Sequence, residues 1–266
     1  MTSFNEVETL IVVPLRLEST RLEKKILRTI GQKTLAEHVA DRAQEAEKIF
    51  KNSKYFLAID NEETLNFLKD KIEDPSRILM TSENCQSGSD RVYDVLSQLE
   101  TRENLENLRN VVNFQGDSPF FPLKVFKELF LAIEQNSHQM LTPVIPWPEG
   151  LNTEEKSHVK VVLNKNNEAL YFSRFPIPHS RKDDHTEGMY YHLGCYVYSV
   201  GVLKVFAQLK KSFLEKSENL EQLRALENSI PVSCAIVDNV DHNLCRGIDT
   251  QSDLDWANKF LENNKI

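Results

Sequence analysis

Asn110-Val111-Val112-Asn113-Phe114-Gln115-Gly116-Asp117-Ser118-Pro119 is the stretch on which the fold class turns. Its first four residues read as the end of a short buried strand, with Val111 and Val112 as the apolar centre. Polar residues and a glycine then arrive together, and Pro119 blocks any continuation. In an open α/β sheet, ligands bind just beyond the carboxyl ends of the strands. Asp117 there brings a carboxylate to the crevice, where a hard cation such as Mg²⁺ can be held against a phosphate. Gly116 lets backbone come close to a ligand that a side chain would exclude. Taken alone, Gly116-Asp117-Ser118-Pro119 reads better as a plain turn. Its weight as a site comes from the rest of the chain.

Upstream, Thr9 to Pro14 is a continuous apolar run, the pattern of a parallel strand buried on both faces. The loop that leaves it gathers Arg16, Arg21, Lys24 and Lys25 in a chain that is acidic overall. Such a loop is placed to hold a polyphosphate, although charge runs are more often solvated. It is neither a dinucleotide fingerprint nor a P-loop. Helical spacing follows over 35–49, a second strand over 55–59 ending in Asp60-Asn61, a helix over 62–71 and a third strand over 77–80. Ser87-Gly88-Ser89-Asp90-Arg91 then leads into a helix expected over 92–99. Those residues offer N–H groups and hydroxyls to an anion or a base edge. A helix cap explains Ser89 equally well. Arg91 opposes the helix dipole unless an acceptor lies nearby.

Downstream of Pro119 a helix is expected over 122–135, and then the alternation stops. Strands over 140–145, 159–163 and 169–172 follow one another without helices, so residues 140–200 form an antiparallel excursion within a single domain spanning 1–266. That excursion could cover the crevice or form a dimer interface. A polar loop occupies 181–188. Tyr190 to Ser199 reads as one strand with His192, Gly194, Tyr196 and Tyr198 on one face. Glu221 and Arg224, three apart on a helix over 220–227, read as a surface ion pair. A strand over 233–237, the turn Arg246-Gly247-Ile248-Asp249-Thr250 and a helix over 251–261 close the chain. Asp249 resembles Asp117 in setting, with a helix cap as the competing reading.

The whole chain has 266 residues, 40% apolar and 27% charged, the balance of a globular protein with one large α/β domain. A formal charge of −8 argues against a sequence-independent nucleic-acid binder. No apolar run reaches the length of a membrane span and the first residues lack a secretory pattern, so a cytoplasmic protein is expected. Cys85, Cys195, Cys234 and Cys245 form no metal-type pair and read as reduced thiols.

The ordered set Pro14-x-Arg16, Ser19-Thr20-Arg21-Leu22 with Lys25, Ser87-Gly88-Ser89-Asp90-Arg91, Gln115-Gly116-Asp117-x-Pro119, Tyr171-Phe172-Ser173-Arg174, His192-Leu193-Gly194-x-Tyr196, Glu221-Gln222-Leu223-Arg224 and Gly247-Ile248-Asp249-Thr250 resembles the 3-deoxy-manno-octulosonate cytidylyltransferases (CMP-KDO synthetases). The likeness runs from about Leu10 to the last helix. It implies a Rossmann-like, three-layer α/β fold of the glycosyltransferase-A type, usually a homodimer. The reaction it implies is transfer of CMP from CTP to the anomeric hydroxyl of an eight-carbon acidic sugar, with Mg²⁺ as cofactor and pyrophosphate released. CMP-KDO serves lipopolysaccharide synthesis. By the same resemblance, Asp117 and Asp249 hold the Mg²⁺ and Lys25 is catalytic. Arg16, Arg21, Ser87, Gly88, Arg91 and Gln115 hold CTP. Arg174, His192, Tyr196, Glu221 and Gln222 take the sugar. Neither nucleic acid nor membrane is an expected partner.

Leu15, Glu23, Lys24 and Ile26 depart from the family's first loop, which commonly has alanine, proline, glycine and proline there, and Cys85 stands where many members have histidine. An acidic acceptor is expected because Arg174 and His192 would otherwise bury positive or donor groups without an acceptor. Two other readings remain: the same reaction on the 8-amino sugar, with Asp183, Asp184 or Glu187 as partner of the ammonium, and a non-catalytic nucleotide-binding relative.

Overall fold

The computed structural model describes residues 3–135, 138–179 and 186–264. Asp183 and Asp184 therefore lie outside the described residues, and Glu187 sits exposed in a turn. The chain divides into two compact units, one made of Met1–Leu123 with Asn243–Ile266, the other of Lys124–His242.

The first unit is built on parallel strands, as the alternation of strand and helix predicts. β1 (Thr9–Leu15) is followed by a small hairpin, β2 (Thr29–Ile30) with β3 (Lys33–Thr34), then α1 (Leu35–Glu47) and β4 (Ser53–Ile59). α2 (Glu62–Leu68), β5 (Ile78–Met80), α3 (Gly88–Arg102) and β6 (Asn110–Asn113) complete the series. The strands lie in the order β5-β4-β1-β6, all neighbours parallel. β1 is thus flanked by β4 on one side and β6 on the other, and the connections reverse direction there. Such a switch point opens a crevice at the strand carboxyl ends. Capping is explicit in the sequence: Thr34 with Glu37 opens α1 and Ser87 with Asp90 opens α3, each as a reciprocal capping box. α3 consequently begins at Gly88 rather than at Val92, because Ser87 caps it.

In the second unit, α4 (Leu123–Gln135) leads to β7 (Met140–Pro146), β8 (Lys160–Leu163), β9 (Ala169–Ser173), β10 (Tyr190–His192) and β11 (Tyr196–Ser199). β8 pairs antiparallel with β9 and β10, and β7 pairs antiparallel with β10 and β11. The single strand expected over 190–199 is two strands. Gly194 adopts φ +75°, a left-handed conformation that breaks the ladder and that glycine accepts without penalty. α5 (Val200–Gln208) and α6 (Phe213–Glu218) were not legible as helices, and α7 (Leu223–Glu227) is shorter than expected. β12 (Val232–Ile236) runs parallel to β7 along its other edge. α8 (Gln251–Asn264) returns to the first unit. Among the described residues no helix is long and apolar enough to cross a membrane.

Candidate functional site

The crevice of the first unit is shaped by one glycine. A Cβ on Gly116 would lie 2.2 Å from the Pro14 carbonyl oxygen, so the turn after β6 rests directly on the end of β1. That turn presents Asp117, whose carbonyl accepts the Ile248 N–H at 2.8 Å and so holds the turn before α8 beside it. Gly247 lies against the Asp117 carboxylate, where an added Cβ would be 3.3 Å from Cγ. Two turns far apart in sequence thereby bring Asp117 and Asp249 to one point.

Lys25 occupies that point. Its Nζ donates to Asp117 Oδ2 at 3.1 Å and to Asp249 Oδ1 at 2.8 Å, and Arg21 Nη2 donates to Asp249 Oδ2 at 2.8 Å. Burial works against the charge on Lys25, but the two carboxylates outweigh it and leave its pKa above the ordinary value. Asp249 is not the cap of α8. Thr250 Oγ1 accepts the Asp253 N–H at 3.3 Å while the Asp253 carboxylate accepts the Thr250 N–H at 2.8 Å, which leaves the Asp249 carboxylate to the crevice. A position already held by a cation, with an oxygen from each of two aspartates within 3.1 Å, suits a hard divalent ion. Among the described residues there is no group of three or more His, Cys, Asp or Glu side chains able to hold a metal ion. The remaining ligands would have to come from phosphate and water, which is how Mg²⁺ is commonly bound.

The loop that carries Lys25 also borders a cavity of about 630 Å³, lined by Arg16, Glu23, Lys24, Asp60, Cys85 and Arg91 among others. Arg91 is 1% exposed; its Nη2 donates to Asp60 Oδ2 at 3.0 Å and its Nη1 to the Thr81 hydroxyl. These acceptors explain an arginine in the first turn of α3, and Asp60, read from sequence only as a strand end, emerges as its partner. Burial pulls the Arg91 pKa below its ordinary value, with Asp60 acting in the opposite sense. Arg16 Nη2 donates to the Cys85 carbonyl at 2.9 Å. Ser87 Oγ is spent on the cap, accepting the Asp90 N–H at 3.1 Å, and Gly88 is the first residue of the helix. Gln115 is half-buried in the turn, its carbonyl accepting the Ser118 N–H at 3.4 Å. Lys24 differs from Lys25 in its partner: its backbone is left-handed at φ 48° and its Nζ meets Glu63 at 2.7 Å on the surface.

Arg174, His192, Tyr196, Glu221 and Gln222 all lie in the second unit. Phe172, His192, Tyr196, Tyr198 and Phe206 form a run of adjacent rings with centroids 5.0 to 6.0 Å apart. His192 Nε2 is 3.0 Å from Thr142 Oγ1. Gln222 is 3% exposed, and its amide nitrogen is buried with no hydrogen-bond partner among the described residues. Arg224 and Glu215 form a buried two-pronged ion pair, Nη2 to Oε1 at 2.7 Å and Nε to Oε2 at 2.8 Å, with Glu221 at 3.5 Å. The surface pair expected between Glu221 and Arg224 is therefore part of a group of three, in which Arg224 and Glu215 are buried and Glu221 is half-buried. Its dominant partner, Glu215, comes from α6, an element that the sequence did not reveal.

The expected need of Arg174 and His192 for an acidic ligand is also corrected. The Arg174 guanidinium already donates to the carbonyls of Glu218 at 2.7 Å, Lys156 at 2.9 Å and Asn219 at 3.1 Å. Burial lowers the His192 pKa from 6.5 to about 3, so this ring is neutral rather than positive. A base whose folded pKa is depressed binds its proton mainly in the unfolded chain. Stability is therefore lost as pH falls from about 6.5 toward about 3, at roughly 1.4 kcal/mol per pH unit. Unfolding of the wild type and His192→Asn across pH 4–7 checks this. The difference between them should narrow on acidification, and parallel curves would contradict it.

The arrangement has known counterparts. The family model described as cytidylyltransferase matches residues 10–233. The 3-deoxy-manno-octulosonate cytidylyltransferase of Rickettsia prowazekii is 36% identical over 258 residues, 96% of either chain. That of Rickettsia canadensis is 34% identical over 254 residues, 95% of this chain and 96% of the relative. A solved CMP:2-keto-3-deoxy-manno-octonic acid synthetase complexed with CTP superposes with a TM-score of 0.81 at 27% identity, covering 96% of this chain and 99% of the other. By its matched length and by these relatives, the chain belongs to the cytidylyltransferase family and, within it, to the 3-deoxy-manno-octulosonate cytidylyltransferases.

Proposed function

We propose that this enzyme transfers CMP from CTP to the anomeric hydroxyl of 3-deoxy-manno-octulosonate, releasing pyrophosphate and supplying CMP-KDO for lipopolysaccharide synthesis. The observation that carries the reading is the convergence of Asp117, Asp249 and Lys25 at the switch point of a parallel sheet. Asp117 and Asp249 would hold Mg²⁺, which supplies charge stabilisation at the α-phosphate and lowers the pKa of the attacking hydroxyl. Lys25 and Arg21, displaced from the carboxylates, are then free to neutralise phosphate oxygens, with Arg16 beside them. Arg91 and the first turn of α3 face the nucleoside end. Arg174, His192, Tyr196, Glu221 and Gln222 would select the sugar. Of the departures in the first loop, Glu23 and Lys24 line the cavity, and Lys25 meets both aspartates beside them in sequence.

Lys25→Ala should therefore weaken use of CTP far more than Lys24→Ala. Steady-state kinetics with CTP varied would show it, and equal losses would mean that the phosphate contacts have moved along the loop. A homodimer using the antiparallel segment, and a cytoplasmic location in keeping with four cysteines outside any disulfide, belong to the same reading. The plain octulosonate is preferred over the 8-amino sugar because Glu221 belongs to the pattern expected for it. With CTP and Mg²⁺, pyrophosphate and a CMP-sugar should form together, and competition between the two sugars should favour the plain one in kcat/KM. A preference for the amino sugar would reverse that choice. CTP binding without product would indicate a non-catalytic relative.

A further inference from the structure

Thr142 contributes one hydroxyl proton and meets two groups. Its Oγ1 is 2.7 Å from the Cys195 carbonyl oxygen and 3.0 Å from His192 Nε2, and all three residues are buried. A carbonyl oxygen can only accept, so the hydroxyl proton goes to Cys195. The same oxygen must then accept from His192, which places the ring proton on Nε2. A neutral imidazole protonated at Nε2 carries a lone pair on Nδ1. Among the described residues, Nδ1 has no hydrogen bond. The ring cannot swing freely to change this, since Phe172 packs against it edge to face at 5.0 Å and Tyr196 lies at 5.4 Å on a tilt.

We infer that Thr142 is a positioning residue that fixes the tautomer of His192, so that Nδ1 acts as an acceptor for a hydroxyl group of the sugar. This rests on the proposed function. It changes the part that His192 plays: the ring reads a hydroxyl donor, and the sugar carboxylate, which only accepts, is not its ligand. Thr142 itself touches no substrate. It acts through His192, and it is anchored by the Cys195 carbonyl next to the Gly194 break between β10 and β11.

The test is nitrogen NMR of the full chain labelled at histidine, with His192→Gln used to assign the signal. In the wild type at neutral pH, His192 should be protonated at Nε2 and bare at Nδ1, and 3-deoxy-manno-octulosonate should shift Nδ1 more than Nε2. Thr142→Val keeps the shape and removes the hydroxyl, and should raise KM for the sugar about tenfold, the scale of one hydrogen bond, with KM for CTP unchanged. Thr142→Ser keeps the hydroxyl and should stay near wild type. A proton on Nδ1, or an Nδ1 signal unmoved while turnover saturates with the sugar, would overturn the inference. Equal rises in both KM values would also overturn it, as they would mark Thr142 as merely structural. Absence of turnover with this sugar in the wild type would instead count against the proposed function.

Discussion

Asp117→Asn and Asp249→Asn should each lower kcat about a hundredfold or more while leaving the fold and much of the CTP binding intact, the scale of removing one electrostatic stabiliser of a transition state. The two carboxylates share Lys25 at 3.1 and 2.8 Å, and on the proposed reading each would supply half of a cation's protein ligands. An asparagine keeps the shape and loses the charge, so the fold should survive: Thr250 and Asp253 still cap α8. Turnover measured at saturating CTP and sugar, beside a melting curve for each variant, separates chemistry from folding. Near-normal turnover of Asp249→Asn would remove it from the reacting centre.

Gly116→Ala should be the most damaging change of a single methyl group. The new Cβ would meet the Pro14 carbonyl oxygen at 2.2 Å, a backbone atom of a buried strand with nowhere to go. Overpacking of this kind costs about 1–3 kcal/mol, and more where only backbone can yield. Turnover should fall with stability, because the displaced turn carries Asp117. Gly247→Ala provides the contrast, its Cβ only 3.3 Å from the Asp117 carboxylate. It should spare stability and lower turnover. Thermal unfolding distinguishes the two, and an unchanged Tm for Gly116→Ala would mean that the turn after β6 does not rest on β1 as described.

The parallel half of the molecule was legible because its strands are buried on both faces and its helices carry their caps in sequence. Thr34 with Glu37 and Ser87 with Asp90 are local signals, read within four residues. The second unit was less legible. α5 opens with Val200 and Val202, β-branched residues that favour strand, and its helical form is held by the Ser199 cap and by burial of Leu203 and Phe206. The break at Gly194 depends on a backbone angle that no periodicity reveals. At the candidate site, residue types could be named from motifs, but their convergence could not. Lys25 meets Asp117 across 92 positions and Asp249 across 224. The partner of Arg91 was missed for the same reason, Asp60 lying 31 positions away. Glu215 is only 9 positions from Arg224, and the Ser212–Glu215 capping box that opens its helix is a local signal of the same kind as in α1 and α3.

Because Lys25 and Arg21 neutralise the aspartate pair in the free protein, a divalent cation should bind there only when CTP draws those side chains onto its phosphates. Titration of Mn²⁺, followed by its electron paramagnetic resonance signal, measures this directly with and without CTP. The wild type should hold Mn²⁺ tightly only with CTP present, and the double variant Asp117→Asn with Asp249→Asn should lose that binding. Mn²⁺ held as tightly by the double variant as by the wild type would contradict the assignment of Asp117 and Asp249 as the metal-binding pair.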